Sequence, residues 1–297
     1  PIKDLTPVEG ILFTSGSTIF KDRIASYSDM SVERIEAEGG IVYAKSNTPE
    51  FGAGGNTFNN VFGNTLNPWD LRMSTAGSSG GAAAALASGM AWLAHGSDMG
   101  GSLRNPASFC GVVGMRPSPG RIAQGPGLLP FNSLGVQGPM ARNVADLELF
   151  FDVMTGEDYR DPLSFPKSEI SFLETAKSSQ KPAKIAFSAD FGFMTVDPEV
   201  TEICRKAAKK IQNFGLIVED SCPKLDNVIE TFWTLRSHSF AMTMGPLVKD
   251  FRNHFKPELL DNIAVGYDLS VDQLGNAETQ RGKIYKTMYD FYEDYDL

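Results

Sequence analysis

Residues 77–107 read GSSGGAAAALASGMAWLAHGSDMGGSLRNPA. The part from Gly80 to Met90 is almost all glycine and alanine, which predicts a helix able to pack very closely on a sheet, with Ser78 and Ser79 at its N-terminus. Near the other end, Met99-Gly100-Gly101-Ser102 puts a serine directly after two glycines and just before the positive charge of Arg104. Glycines let backbone approach a reacting group closely, so Ser102 is a candidate nucleophile. Something else in the chain must then remove its proton.

At 297 residues the chain can bury a sizeable core and form one large or two ordinary domains. Hydrophobic residues at 42% and charged residues at 21% are globular values, with no apolar run near the ~18 residues of a membrane span. The formal charge of −9 offers no basic stripe for nucleic acid or anionic membranes, and a small, uncharged partner fits better. Cys110, Cys204 and Cys222 are odd in number and widely spaced, without a CxxC pair. They suggest neither a disulfide framework nor a zinc site, and make a reducing, cytoplasmic compartment the default. No metal or organic cofactor is expected, and a homodimer is allowed.

Outward from the opening stretch the pattern is α/β. Toward the N-terminus, SDMSVERIEAEGG reads as a short helix stopped by glycine, and Ile41-Val42-Tyr43-Ala44 as a buried strand. The Gly/Asn/Pro-rich stretch from Thr48 to Gly77 is long for a connector and reads as a functional loop. Toward the C-terminus, EDYRDPLSFP and KSSQKP are linker-like, which predicts a core over residues 1–156 and a continuation over 157–297. In the latter, Lys184–Phe187 reads as a strand. Asp197-Pro198 supplies an N-cap and first-turn proline for a helix carrying Val200, Ile203, Ala207, Ile211 and Phe214, and Gly215 ends it before Leu216-Ile217-Val218. From Leu225 onward the pattern is mostly helical, and Tyr285, Tyr289 and Tyr292 form a stripe expected to pack in a core.

Histidine is the usual base for a serine, and the chain has three: His95, His238 and His254. His95 sits in the apolar segment AWLAHGSD and reads as a hydrogen-bonded core residue, while the other two lie in helical, polar surroundings. Gly77-Ser78-Ser79-Gly80-Gly81 also matches G-x-S-x-G, the nucleophile elbow of α/β-hydrolases, with Ser79 as nucleophile. That elbow needs a hydrophobic strand leading into the turn, and DLRMSTA does not read as one. A buried lysine is another known base, because desolvation disfavours the ammonium form.

The run 77–107 resembles the signature of the amidase signature family of serine hydrolases. So do PIKD at the start, KSNTPEFGAGGNTFNNVFGNTLNPWD, FCGVVGMRPSPGRI and GPMARNVADLELFFDVMTG, blocks that occur in the family's order over about the first half of the chain. The resemblance implies a large twisted mixed β-sheet flanked by helices on both faces, and hydrolysis of a carboxylic amide to the acid plus ammonia or amine. It implies Ser102 as nucleophile, Ser78, preceded by a cis peptide, as bridging serine, and Lys3 as base. On the same ground Met99, Gly100, Gly101 and Ser102 would offer backbone N–H groups to an oxyanion, Ser79 would support Lys3 and Ser78, and Asp98 and Arg104 would form a structural ion pair. Thr75 and Gly77 would line the acyl site. A glutaminase subunit of a tRNA-dependent amidotransferase is the alternative within the family. Family members extend further at both ends, so a partial chain, unstable or weakly active alone, is expected.

Overall fold

Strand Ile2–Lys3 pairs in parallel with Lys45–Ser46, Lys3 opposite Ser46, and the Pro1 carbonyl accepts from the His95 N–H at 3.0 Å. That bond ties the pair to strand Leu93–Asp98, which lies antiparallel to Val136–Ala141, itself antiparallel to Val113–Gly114. Parallel and antiparallel neighbours thus both occur, and the protein is an α/β fold. The computed structural model describes residues 1–178 and 181–297; Ser179 and Gln180, inside the expected KSSQKP linker, lie outside the described residues.

Successive side chains of a strand face opposite ways, and this decides where the first residues go. Ile2 joins a cluster with Val8, Val32, Ile35, Ile122, Phe150, Phe151 and Met154, built on the helices Met30–Ala37 and Val144–Met154. Lys3 turns to the other face, beneath the helix Gly80–Ala87. There Ala82, Ala83 and Leu86 pack with Ala94, Leu103, Ala107, Cys110 and Met140. Helices therefore cover both faces. The small-residue helix sits close because a Cβ on Gly81 would collide with the Asn47 backbone nitrogen, a contact no flexible side chain can relieve. Gly81→Ala is expected to destabilise the chain by about 1–3 kcal/mol in urea unfolding; an unchanged midpoint would contradict this packing.

The helix Met30–Ala37 begins at Asp29, whose carboxylate accepts from the Ser31 N–H at 2.9 Å, and Gly39 at φ +85° follows its end as expected. The strand expected at Ile41–Ala44 forms one step later, at Lys45–Ser46. Residues 41–43 carry the chain from the helix end to the sheet and leave Ile41 exposed. The stretch from Thr48 to Gly77 folds into a 3-10 turn, Glu50–Gly52, and two short antiparallel pairs, Phe58–Asn59 with Gly63–Asn64 and Leu66–Asn67 with Asp70–Ser74. Asp70–Ser74 is thus a strand after all, but a two-stranded, largely exposed one, since its Leu71 and Met73 face outward.

Two compact units are present: Pro1–Ser178 with Leu247–Leu260, and Ser179–Pro246 with Asp261–Leu297. The first runs past the expected division at residue 156, because Gly156 bridges to Ile122 and Asp152 accepts from the Phe172 and Leu173 N–H groups at the start of helix Phe172–Lys177. In the second, Lys184–Phe187 pairs in parallel with Ile217–Asp220 across helix Pro198–Gln212, which is capped by Asp197 and followed by Gly215 at φ +85°. The expected βαβ unit is there. Its apolar stripe is not covered, with Ile203 and Phe214 exposed. The tyrosine stripe departs from expectation too: Tyr285 and Tyr289 on helix Val271–Phe291, and Tyr292 just past its end, are exposed, and the helix's one buried residue is Ala277.

Among the described residues no helix is long and apolar enough to cross a membrane, and Cys110, Cys204 and Cys222 are free.

Candidate active site

Lys3 is wholly buried, and its ammonium nitrogen is surrounded by serines. Nζ lies 2.7 Å from Ser78 Oγ and 2.8 Å from Ser79 Oγ, and reaches Ser97 at Oγ (3.0 Å) and at the carbonyl (3.2 Å). Burial pushes the Lys3 pKa down to about 7, with the negative charge of Asp98 acting the other way. At neutral pH a large share of Lys3 is therefore the free amine.

The serine pair is held by its turn. The Gly77–Ser78 peptide is cis, and Ala76 takes φ +55°. The Ala76 carbonyl accepts from the hydroxyls of Thr57 (2.9 Å) and Thr75 (3.1 Å), while Thr57 Oγ1 accepts from the Gly80 N–H that opens the helix. Thr75 is fully buried, so its hydroxyl serves this turn. Ser79 donates to the Ser97 carbonyl at 3.2 Å and accepts from the Ser97 N–H at 3.3 Å. Its own N–H donates to the Ser102 carbonyl at 3.1 Å, which pins the two serine loops together.

The loop carrying Ser102 is shaped by Asp98, the last residue of its strand. Asp98 accepts from the N–H groups of Gly101 (2.7 Å) and Leu103 (3.1 Å) and from the Arg104 guanidinium at 3.1 and 3.2 Å. Burial alone would raise the Asp98 pKa; the Arg104 hydrogen bond and the two backbone donors outweigh it and bring it to about 2. Gly101 takes φ +107°, and a Cβ there would strike the Asn105 side chain at 2.6 Å, so only glycine suits the position. Its N–H is committed to Asp98. The N–H groups of Met99, Gly100 and Ser102, and the Ser102 hydroxyl, meet no hydrogen-bond partner among the described residues.

Lys3, Ser78, Ser79, Asp98, Arg104 and the 99–102 loop thus come together from three separate segments, although no hydrogen bond joins the Ser78 and Ser102 hydroxyls among the described residues. The elbow arrangement finds no support. Ser79 is fully buried and already bonded on three sides, and none of the histidines is hydrogen-bonded to a serine among the described residues. His95 is buried against Gln137 Oε1 at 2.9 Å, and burial holds its pKa at about 4. His254 meets Thr18 Oγ1, and His238 lies in the second unit. Sequence reasoning missed Ser97, whose only signal was a polar residue just before Asp98, and Arg116, hidden in a proline-rich connector. Among the described residues no three His, Cys, Asp or Glu side chains are placed to hold a metal ion.

A bacterial aryl acylamidase of the Amidase signature (AS) enzymes family matches this structure with a TM-score of 0.92 at 27% identity, over 99% of this chain and 63% of that one. The fold is that of amidase signature enzymes. The chain belongs to the Amidase family, whose model matches residues 1–295. An acylamidase from Rhodococcus erythropolis is 37% identical over 298 aligned positions, covering 100% of this chain and 62% of the relative. The A subunit of glutamyl-tRNA(Gln) amidotransferase from Sulfurihydrogenibium sp. is 33% identical over 94% of this chain and 58% of its own length. The chain therefore spans about three fifths of the length of these relatives.

Proposed function

We propose that the chain is the catalytic part of an amidase, which cleaves a carboxylic amide to the acid plus ammonia or an amine through an acyl-enzyme on Ser102. The observation that carries this reading is the buried Lys3 amine at 2.7 Å from Ser78, one peptide from the turn that is pinned to Ser102. The free amine of Lys3 accepts the Ser78 proton while Ser78 accepts that of Ser102, and the Ser102 oxygen attacks the amide carbon. The N–H groups of Met99, Gly100 and Ser102 are the uncommitted donors for the resulting oxyanion, each worth roughly 3–4 kcal/mol of barrier. Gly101 acts instead by holding the loop to Asp98. The proton returns by the same route to the leaving amine, and water then releases the acid. No step calls for a metal.

Incubation with a fluorophosphonate, followed by peptide mass mapping, is expected to give an adduct on Ser102. An adduct on Ser79, or labelling that collapses when His95, His238 or His254 is replaced in a folded variant, would overturn the assignment.

Similarity to amidotransferase A subunits supports a second reading, a glutaminase working inside an assembly. Ammonia release from glutamine only when partner subunits are added would favour it over a free-standing amidase.

A further inference from the structure

We propose that Arg116 is a positioning residue, which fixes the Ser102 loop through Asp98 and offsets the Asp98 charge felt at Lys3. The proposal rests on the reading of Lys3 as base. Asp98 stands where the two halves of the site meet: its neighbour Ser97 contacts Lys3, and its carboxylate holds Gly101 and Leu103. The Arg116 guanidinium grips Asp98 twice, at the backbone carbonyl and at Oδ1 (3.2 Å), and extends to the Leu134 carbonyl at 2.9 Å. It thereby fastens the end of the strand to the connector that follows Arg116.

Arg104 pairs with the same carboxylate, but its side chain is 55% exposed, against 23% for Arg116 and 0% for Asp98. Arg104 makes two contacts with the carboxylate, but water screens it more than Arg116, so Arg116 is the less screened of the two counter-charges. The other groups about Lys3 are Asp4, Lys45, His95 and the Pro1 amine, the last with its pKa lowered to about 6 by burial. Asp4, next in the chain, faces Lys45 at 3.6 Å; His95 is held neutral by burial; helix Gly80–Ala87 brings no titratable side chain. Without Arg116, Asp98 would favour the Lys3 ammonium more strongly and leave less of the free amine at neutral pH.

The test follows the lysine ¹³Cε resonances of the full chain against pH, with the Lys3 signal assigned from its absence in Lys3→Met. Arg116→Gln is expected to move the Lys3 midpoint upward by roughly 0.5–1 pH unit, and Arg104→Gln to move it less. Arg116→Lys keeps the charge but not the fork that reaches Leu134. It is expected to leave the midpoint in place and to slow fluorophosphonate labelling of Ser102 by roughly 3–10-fold. An unmoved midpoint in folded Arg116→Gln overturns the proposal while leaving Lys3 as base. If Arg116→Gln does not fold, wild-type labelling by Arg116→Lys overturns it. A wild-type Lys3 that titrates in the ordinary lysine range removes the base reading itself.

Discussion

Lys3→Met is expected to slow fluorophosphonate labelling of Ser102 by ~10²–10⁴-fold, the usual contribution of a positioned general base, while relieving the fold of a cost. The cost follows from linkage. Lys3 titrates at about 7 in the folded chain against 10.5 when unfolded. Between those values the unfolded chain binds the extra proton, so wild-type stability rises with pH across this window and carries its full penalty below about pH 7. The penalty is about 4–5 kcal/mol, at 1.36 kcal/mol per pKa unit. The buried Ser78 and Ser79 hydroxyls lose their contact with Lys3 in the variant, Ser79 keeping its bonds to Ser97, which offsets part of the gain. The diagnostic result is therefore the difference between the two proteins: Lys3→Met should lose several kcal/mol of its relative advantage between pH 7 and pH 10.5 in urea unfolding. A difference that stays flat across that range would mean that Lys3 is charged in the folded chain, and the relay would lose its base.

Asp98→Ala should be the most disruptive single change near the site. The carboxylate is fully shielded and holds two guanidinium groups and two backbone N–H groups. Removing one member of such a buried cluster leaves the others unpaired, at about 3–5 kcal/mol, a large part of a typical folding free energy. Gly101 would also be released from its φ of +107°, so labelling of Ser102 should fall together with stability. The sign with pH is that of a depressed acid. Asp98 stabilises the fold fully above its ordinary pKa of 3.8, and the contribution is lost as pH falls through about 2. The gap between wild type and variant should accordingly persist across neutral pH and close only in acid. A urea midpoint near that of wild type would show the cluster to be dispensable.

Local elements were legible wherever a short-range rule suffices. Asp197-Pro198 and Gly215 bound their helix as expected, and Gly39 ends another, because caps and positive-φ stops are decided by a few neighbouring atoms. Tyr285, Tyr289 and Tyr292 were misread, since an apolar stripe records what a helix can bury and leaves open which neighbour covers it. The strand at Lys45–Ser46 was displaced from its expected place because pairing register depends on a partner far away in sequence. At the site, Ser78 and Ser102 stood out through the glycines beside them. Lys3 was visible only through resemblance, because no composition or period separates a buried lysine from a surface one.

What the sequence determined by itself is the set of parts: a small-residue helix able to pack closely, two glycine-flanked serine turns, and an α/β alternation. What only the tertiary structure decided is the state of those parts. Strand alternation drives Lys3 inward while Ile2 goes to the opposite face, and burial among three serines then strips the lysine of its preference for the proton. Arg116 likewise became meaningful only once folding set it against Asp98, because a charge acts through its distance and its surroundings, and neither is written in the order of residues.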